Sequence, residues 1–399
     1  MSKLGELICE FCSNGVETVK IKNAFQRLKG TPITAARMKE INNPEGEIKV
    51  FAGGKTVITA KEKDIPNANI IRVPAVLVQS RGVIDVIYYD KPFTFKNEMW
   101  AYTTSDSTTV KYLFYVLKNN VQRFRDAASG MGSLPQISLP VTEEFEIPFP
   151  PIEVQREIVR ILDNFTNLTA ELTAELTARK TQYNYYRNKL LSFDVQKSIR
   201  TAPLADIAEI STGSSNTDDA VEDGIYPFYV RSQEPLRKND YEYDEEAIIT
   251  AGDGVGVGKV FHYVNGKYAL HQRAYRIHPK DSKLLGKYLY HYVVARFPGY
   301  IGKQMYQGSV PSIRRPMLNK FEVVIPPLEV QEKIAKILDN FDAICSDLNI
   351  GLPAEIEARQ KQYEYYRDKL LTFAEGSGTI VTDRQTDRQT DRQTDRQTD

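Results

Sequence analysis

The glycine-rich segment 252–259 is the part of the chain that comes nearest to a catalytic motif. It runs Gly-Asp-Gly-Val-Gly-Val-Gly-Lys, which is similar to a phosphate-binding loop. The match fails at two positions. Asp253 stands where G-x-x-x-x-G-K needs its first glycine, and Val260 follows the lysine where a Ser or Thr must bind Mg²⁺. We therefore predict a glycine-rich turn beside a strand, where the backbone approaches a partner closely.

Other signatures of catalysis or metal binding also fail. Cys9 and Cys12 form a C-x-x-C pair, but no second pair completes a zinc site, so we predict reduced thiols. The sequence contains no G-x-S-x-G nucleophile turn and no N/D-P-P-Y/F loop of the amino-methyltransferase kind. The four histidines lack metal-ligand spacing: His262, His271, His278 and His291. We predict no catalytic residue, no metal site and no cofactor bound by this chain.

Polar side chains instead cluster at corresponding places in the two halves of the chain. Arg, Lys, Asn and Gln read base edges, while Ser and Thr hold phosphates, so the clusters predict contacts with DNA. For any single residue, a solvated surface role is the alternative. The candidates in the first half are Thr31, Thr34, Arg37, Lys55, Arg81, Lys96 and Gln136, with Gln79, Ser80 and Asn97 beside them. Those in the second half are Ser214, Ser215, Asn216, Arg231, Gln233, His271, Gln272, Arg273, Ser312, Arg314 and Arg315.

Overall charge gives no support to nucleic-acid binding by bulk electrostatics. The chain has 52 Lys and Arg against 52 Asp and Glu, which leaves only local basic surfaces for such a role. Its 399 residues, 41% of them hydrophobic, allow two to three domains with real cores. No apolar run approaches the roughly 20 residues of a membrane span, and the N-terminus lacks a signal-peptide pattern. We expect a cytoplasmic protein.

An internal repeat determines the predicted architecture. Residues 148–165 and 324–341 are identical at 11 of 18 positions, and residues 182–191 match 362–371. The period is too long for a solenoid, so the chain is predicted to consist of two similar halves. Each half is a globular region followed by a long helix.

The repeat extends upstream of the helices and then fades. The offset of 176 residues between the copies holds back to residue 111. Before that, residues 18–21 align with 201–204, and Gly30 then falls on Gly213. The halves therefore share a framework but differ in front of it, as two modules would that recognise different things.

Each repeated segment carries an apolar stripe with spacings of three and four, which predicts a long coiled-coil helix. The first stripe contains Ile158, Ile161, Phe165, Leu168, Leu172, Leu176, Tyr183, Tyr186 and Leu190. The second contains Ile334, Ile337, Phe341, Ile344, Leu348, Ile356, Tyr363, Tyr366 and Leu370, and we expect Gly351 and Pro353 to interrupt it. We predict that the two helices pack antiparallel. The alternative is that each helix folds onto its own module.

A four-residue repeat lies inside the first helix. Residues 169–178 spell TAELTAELTA, and the predicted spacer residues are Thr169, Leu172, Thr173 and Leu176. The offset between copies changes from 176 to 180 across this segment, which is one such unit. Adding a unit lengthens a helix by about 6 Å and rotates the segment after it by about 40°. We interpret the repeat as a spacer between modules, with an inconsequential duplication as the alternative.

The front parts favour short strands, so the predicted fold class is α+β. Candidate strands are 47–51, 68–73, 75–79, 83–89, 247–250, 257–264 and 268–277, and candidate helices are 109–120 and 283–296. The predicted organisation has five parts: domain 1–147, helix 148–193, domain 194–323, helix 324–373 and tail 374–399. The TDRQ repeats of the tail have no apolar face, so we expect no folded structure there.

The repeated segments resemble those of the specificity subunit of type I restriction–modification enzymes. The resemblance rests on the tandem PP-[IL]-E-V-Q-x-x-I-x-x-ILDNF…QY-x-YYR-x-KLL segments, each after a variable region, and covers residues 18–373. The TAEL units resemble the spacer of one group of that family. Residues 132–137 and 308–313 resemble the motif that closes each target-recognition domain.

This resemblance implies a subunit without catalysis of its own. Each domain would bind one half of a split, asymmetric DNA target, and the paired helices would set the gap. The helices would also hold two modification subunits that methylate adenine with S-adenosylmethionine. Restriction subunits would add cleavage driven by ATP with Mg²⁺. Base-contact residues do not transfer from the family, because these domains vary.

Two other functions compete with DNA recognition. One is an adaptor whose two modules bind protein, and the other is an enzyme with an unrecognised site. Specific binding to a bipartite duplex with steep salt dependence favours the first function. Binding of modification subunits without any effect on the methylated sequence favours the adaptor, and turnover by the isolated chain favours the enzyme.

Overall fold

The structure is a computed structural model that describes residues 2–54, 56–65, 67–128, 134–193, 199–302, 311–346 and 350–373. It divides into two compact units. Unit 1 is Met1–Ala170 with Glu357–Asp399, and unit 2 is Glu171–Ile356. Helices and strands occur in both units, as the predicted α+β class requires. Both unit boundaries fall inside long helices, so each unit takes one segment from either copy of the repeat.

The helices are α1 Lys3–Phe11, α2 Ile21–Ala24, α3 Ala35–Ile41, α4 Ser107–Asn119, α5 Val121–Asp126, α6 Leu139–Glu143, α7 Ile152–Leu190, α8 Leu204–Ile207, α9 Gly286–Gly302, α10 Arg315–Asn319, α11 Leu328–Ser346 and α12 Leu352–Thr372. The strands are β1 Thr18–Lys20, β2 Gln26–Leu28, β3 Ile48–Phe51, β4 Val57–Ala60, β5 Ala75–Gln79, β6 Asp85–Tyr89, β7 Phe93–Phe95, β8 Trp100–Thr103, β9 Glu146–Pro148, β10 Arg200–Pro203, β11 Ala208–Thr212, β12 Tyr226–Tyr229, β13 Leu236–Lys238, β14 Tyr243–Ala251, β15 Phe261–Leu270, β16 Ala274–Pro279 and β17 Glu322–Ile325.

Unit 1 contains three small sheets and one main helix. The sheets have the orders β2-β8-β5-β6, β4-β3-β7 and β1-β9, and β3 runs parallel to β7. Asp106 caps α4 by accepting a hydrogen bond from the Thr109 N–H at 2.8 Å. Val110, Leu113 and Leu117 recur along α4 at spacings of three and four and are fully buried in the core. This periodicity explains why α4 packs over β5 and β6.

Unit 2 repeats the design with one larger sheet. Six strands take the order β11-β16-β14-β15-β12-β13, and β10 pairs separately with β17. Strand β12 runs parallel to β15, as β3 does to β7 in unit 1. Leu289, Val293 and Phe297 lie four residues apart on α9 and are fully buried in the core of this unit. A helix packed on a sheet therefore positions the loops in both units.

The long helices pair inside each unit through one phenylalanine and two tyrosines. In unit 1, Phe165 on α7 stacks on Tyr366 of α12 with ring centroids 5.7 Å apart, and Tyr363 lies 6.4 Å away. In unit 2, Phe341 on α11 stacks on Tyr186 of α7 at 5.9 Å. In unit 1, the N-terminal part of α7 therefore contacts the C-terminal part of α12. In unit 2, the C-terminal part of α7 contacts α11, which begins the second copy of the repeat. Antiparallel packing requires this pairing.

A polar junction of matching composition ties the sheet-covering helix to the long helix. In unit 1, Asp163 on α7 accepts from Lys111 Nζ at 2.7 Å and from Tyr115 Oη at 2.5 Å. In unit 2, Asp339 on α11 accepts from Lys287 Nζ at 3.4 Å and from His291 Nε2 at 2.8 Å. The offset of 176 residues relates all of these positions. The framework therefore repeats in its contacts as well as in its sequence.

Several local predictions are confirmed and others are wrong. Helices occur at both predicted places, and α11 ends at Ser346 before α12 begins at Leu352, as the expected interruption requires. The predicted strand 68–73 is wrong, because only an isolated bridge from Ile71 to Phe93 forms there. Strand β15 begins at Phe261, since the glycines before it form a turn. A turn after Leu270 also splits the predicted strand 268–277 into β15 and β16.

Candidate nucleic-acid interface

Part of each predicted polar cluster lies on a set of loops that both units build in the same way, which we call the loop frame. In unit 1 it comprises loops 51–54, 79–82, 95–99 and 134–137. In unit 2 it comprises loops 229–231, 251–254, 270–274 and 311–313. Backbone hydrogen bonds join these loops in both units.

The first common contact joins the loop after the central strand to the segment before α6 or α10. In unit 1, the Gly82 N–H donates to the Pro135 carbonyl at 2.9 Å, and the Ile137 N–H donates to the Ser80 carbonyl at 2.9 Å. Unit 2 has the same pair of bonds. They run from Gly254 to the Pro311 carbonyl at 2.9 Å and from Ile313 to the Gly252 carbonyl at 2.8 Å. Isolated bridges lie between them, Arg81 with Gln136 and Asp253 with Ser312.

The second common contact lies beside the parallel strand pair. The Lys96 N–H donates to the Phe51 carbonyl at 2.9 Å, and the His271 N–H donates to the Tyr229 carbonyl at 2.9 Å. Lys96 and His271 are therefore equivalent positions. The two residues after each, Asn97-Glu98 and Gln272-Arg273, then occupy the same turn.

Gly30 and Gly213 also occupy equivalent positions, as their alignment predicts. A Cβ atom on Gly30 would overlap the carbonyl oxygen of Phe95, and a Cβ on Gly213 would overlap that of Leu270. Only glycine lets the chain pass this close to the parallel strand. The correspondence of the halves is therefore confirmed in a region where sequence similarity has faded.

In unit 1, Glu98 is the centre of the polar contacts of the frame. Its carboxylate accepts from the Gly53 N–H at 3.1 Å and pairs with Lys96 Nζ at 2.9 Å. Burial opposes ionisation of Glu98, but these bonds and the charge of Arg81 outweigh it and lower the pKa of the carboxyl group. Arg81 and Gln136 are exposed beside it. Of the first-half candidates, Lys96, Arg81 and Gln136 thus lie near an acid that sequence reasoning did not single out.

In unit 2, Asp253 takes the corresponding role with two arginines. Its Oδ1 accepts from Arg231 Nη1 at 2.7 Å, and its Oδ2 accepts from Arg273 Nη1 at 3.3 Å. His271 supports the turn by accepting the Arg273 backbone N–H on Nδ1 at 3.0 Å. Burial, together with the charges of Arg231 and Arg273, lowers the pKa of His271, which matches a neutral ring with an acceptor nitrogen.

A neighbouring group of unit 2 presents two exposed amides. The Gln272 side chain donates to the Asn216 side-chain oxygen. Ser215 donates its hydroxyl proton to Glu242 at 2.5 Å and accepts from Lys238 Nζ at 2.9 Å. The Ser214 backbone N–H donates to the same carboxylate at 2.9 Å. Glu242 and Lys238 therefore hold the loop at Ser214 and Ser215 in place, and the side-chain amides of Asn216 and Gln272 are exposed beside it.

Three of the predicted contact residues are corrected by their burial. Thr31 is fully buried and hydrogen-bonds Thr94 through its hydroxyl at 2.7 Å. Ser215 and His271 are exposed by only 3% and 4%. A buried side chain with its partners inside the fold cannot reach a base, so these residues position the frame.

The remaining predicted residues lie apart from the frame centres. Thr34 caps α3, and Arg37 pairs with Glu40 at 2.9 Å on the same helix. The Arg315 guanidinium donates to the Ile210 carbonyl, and Arg314 is exposed just before it. Gln233 lines a separate cleft of about 490 Å³. Lys55 lies outside the described residues, as does part of each motif that the sequence places before Pro135 and Pro311.

The predicted spacer residues all lie within α7. Leu172 is buried, and Leu176 is partly buried. Thr169 Oγ1 donates to the Phe165 carbonyl at 2.9 Å, and the Thr173 carbonyl accepts from Thr177 Oγ1 in the same way at 2.9 Å. The repeat is therefore continuous helix, with its hydroxyls bonded back along the turn.

Sequence reasoning missed the acidic residues that bind the predicted basic and polar side chains and their loops. Glu98 and Asp253 both stand at turns between basic residues, and Glu242 fixes the loop at Ser214. A search for hydrogen-bond donors that could contact DNA leaves out acidic residues, although acidic residues orient those donors. The available signals differ between the two acids: Glu98 follows Lys96 by two residues, and Asp253 lies between Gly252 and Gly254.

A family model described as the type I restriction modification DNA specificity domain matches the chain twice, at residues 14–179 and 197–358. The specificity subunit of the type I restriction enzymes EcoR124I/EcoR124II of Escherichia coli is 31% identical over 357 residues, which cover 82% of this chain and 87% of that protein. A putative type I specificity subunit of Mycoplasma pneumoniae is 36% identical over 242 residues, covering 57% of this chain and 92% of the relative.

A solved structure agrees in fold. The type I restriction–modification S subunit from M. genitalium aligns with a TM-score of 0.66 at 18% identity, covering 90% of this chain and 97% of that one. At this identity the alignment supports the architecture alone. The two matches of the family model independently indicate a tandem arrangement of two similar domains.

Proposed function

The chain belongs to the family of type I restriction–modification DNA specificity domains, and from this we propose that it selects the DNA sequence on which such a complex acts. Each unit binds one half of a bipartite, asymmetric duplex target. The chain recognises DNA and carries out no chemistry. Methylation of adenine with S-adenosylmethionine belongs to modification subunits, and cleavage with ATP and Mg²⁺ belongs to restriction subunits.

One observation carries this proposal. The two units build the same loop frame from backbone hydrogen bonds but place different side chains on it. Unit 1 has Gly53, Arg81 and Glu98 at the positions that Arg231, Asp253 and Arg273, respectively, occupy in unit 2. A constant frame with changed donors and acceptors is what reading two different half-sites requires.

Different segments of the chain have different roles in this proposal. We assign residues 1–147 and 194–323 to target recognition, and 148–193 and 324–373 to the helices that separate them. The candidate DNA contacts are the exposed members of the predicted set, led by Arg81, Gln136, Asn216, Gln272, Arg273 and Ser312, together with the partly buried Arg231. The TAEL units in α7 set the gap between half-sites, and residues 374–399 are the TDRQ repeat tail.

The repeated helices dock the modification subunits. Tyr185 and Tyr365 occupy matching positions on α7 and α12 and are 60% and 61% exposed. A lysine ammonium lies 5.8 Å from each ring, Lys189 in one case and Lys369 in the other. Two equivalent exposed aromatic and basic patches fit two copies of one partner, because identical partners need like surfaces.

We expect the complex to work in the cytoplasm, where DNA is available. No helix of the described residues is long and apolar enough to cross a membrane.

Methylation sequencing of cells with and without this gene, in the presence of the modification subunit, tests the proposal. The expected result is one bipartite adenine-methylated sequence that depends on the gene. The assembled complex should bind that duplex specifically, with an affinity that falls steeply with salt. Assembly with modification subunits but no effect on which sequence is methylated would refute recognition and favour an adaptor.

A further inference from the structure

We propose that Arg231 and Arg273, oriented by Asp253, form the part of unit 2 that identifies a guanine in its half-site. This inference rests on the function proposed above and names the bases that one unit selects. It predicts at least one G·C pair in the half-site that unit 2 binds.

The geometry is that of two guanidinium groups sharing one carboxylate. Each oxygen of Asp253 takes a different arginine, Oδ1 at 2.7 Å from Arg231 and Oδ2 at 3.3 Å from Arg273. The arginine side chains remain 39% and 61% exposed, while that of Asp253 is 24% exposed. The carboxylate thus lies behind the two cations, and the cations face solvent.

The three residues come from three different loops, and the backbone holds each of them. Asp253 lies in the bridge with Ser312. The Arg273 carbonyl accepts the Gly252 N–H at 2.9 Å, while its own N–H is bonded to His271. The Arg231 carbonyl packs so closely on Gly256 that a Cβ there would clash with it. The arginines are therefore oriented before any partner arrives, which limits the entropy lost on binding.

The chemistry fits a guanine edge better than a phosphate. A guanidinium has five N–H groups, and each arginine uses one on Asp253, which leaves further donors on two side chains that are 39% and 61% exposed. Guanine offers O6 and N7 in the major groove as two acceptors at matching spacing. A phosphate would bring a negative charge towards Asp253, whereas the neutral base edge does not meet this repulsion.

Unit 1 does not carry this device. At the equivalent places it has Gly53, Arg81 and Glu98, and the carboxylate of Glu98 is taken by Lys96 and a backbone N–H. One arginine stands there where unit 2 has two. The inference is therefore specific to unit 2, and changes at Arg231 and Arg273 should not affect the half-site of unit 1.

Conservative variants of the full chain, assembled with its modification subunits, test the idea. Exchange of residues 201–323 for those of another such protein first identifies the half-site of unit 2. The variants are then Arg231→Lys and Arg273→Lys, which keep the charge but remove the fork. Arg237→Lys, on the exposed edge strand β13, is the matched control. Selection from a duplex library with randomised half-sites measures discrimination at every base pair.

We expect each fork variant to lose about 5- to 150-fold of its discrimination for one G·C pair in that half-site, as loss of a bidentate contact predicts. The other half-site, the spacing and the Arg237→Lys control should be unchanged. Asp253→Asn should also reduce this discrimination, because both guanidinium groups lose their charged partner and only one side-chain oxygen remains to accept.

Three results would overturn the inference. They are an unchanged base preference in both lysine variants, equal weakening on all sequences, and a wild-type half-site made of A·T pairs alone. The last needs no substitution at Arg231, Arg273 or Asp253, so misfolding of those variants cannot conceal it. A wild-type complex without any bipartite target would instead refute the proposed function, which separates the two failures.

Discussion

Insertion of one Thr-Ala-Glu-Leu unit after Leu176 should change the gap between the recognised half-sites and leave both half-sites unaltered. The TAEL repeat lies in α7, and the boundary between the two units falls inside it, between Ala170 and Glu171. Ala, Glu and Leu are strong helix formers, so the insertion should extend the helix without breaking it. The recognition loops lie outside this segment and should keep their contacts.

The size of the change can be worked out from helix and duplex geometry. Four added residues lengthen α7 by about 6 Å and rotate the segment after them by about 40°. A DNA duplex rises about 3.4 Å per base pair, and its helical repeat of about 10–10.5 base pairs gives about 35° of twist for each. The added length corresponds to nearly two base pairs and the added rotation to about one. We therefore expect the gap to grow by one or two base pairs.

Single-molecule methylation sequencing in cells that carry the insertion is the direct assay, because it reports half-sites and gap together. A double substitution of Glu171→Gln and Glu175→Gln is the control, since it alters the repeat but not its length. Glu175 pairs only with exposed Arg179 at 3.3 Å among the described residues, so little stability should be lost. An unchanged gap in the insertion variant, or a changed base in either half-site, would refute the spacer hypothesis.

Three further predictions concern the framework. Phe165→Ala should destabilise unit 1 by about 1–3 kcal/mol, because it removes the stacking on Tyr366. Backbone hydrogen exchange should then become faster in α12 and stay unchanged in α11. Faster exchange in both helices would contradict pairing within one unit. Burial lowers the pKa of His291 below its ordinary 6.5, despite its hydrogen bond to the Asp339 carboxylate. As the pH falls, this histidine therefore binds a proton in the unfolded chain before it does so in the folded chain. The free energy of unfolding should consequently decrease below about pH 6.5. His291→Tyr, which places at this position the residue of unit 1, should reduce that fall in thermal unfolding between pH 7 and pH 5, and parallel pH profiles would exclude His291 as its source. Gly213→Ala should cost more than about 2 kcal/mol in denaturant unfolding, since its Cβ would overlap the Leu270 carbonyl, and a wild-type midpoint would show that the loop is free to move.

The sequence could predict those parts of the fold whose periodicity is strong or duplicated. The apolar spacing of α4 and the repeated segment at Phe165 and Phe341 both lead directly to observed helices and helix contacts. The parallel pairing of β3 with β7 carries no such signal. The paired strands are more than forty residues apart in the sequence, and the local pattern of neither strand indicates which other strand it pairs with.

The sequence indicates polar clusters in both halves but not which of their members are exposed. Residue type alone does not separate Arg81, which is exposed, from Thr31, which is fully buried under the same loops. Burial depends on which neighbouring loop covers a residue, and the covering loops come from distant parts of the chain. The glycines give better guidance, because a backbone that passes against another strand excludes every side chain at that position.

The way the loop frame is held together explains how such a protein can change its target without refolding. The bonds that fix the loops run between backbone groups, for instance from Gly82 to Pro135 and from Gly254 to Pro311. Replacing an exposed side chain on the frame leaves these bonds intact and alters only the donors and acceptors presented to a partner. The two units of this chain already differ in this way, with Glu98 in one at the position of Arg273 in the other. Substitutions at exposed frame positions should therefore alter sequence preference at a small cost in stability, whereas substitutions at the glycines should remove stability and recognition together.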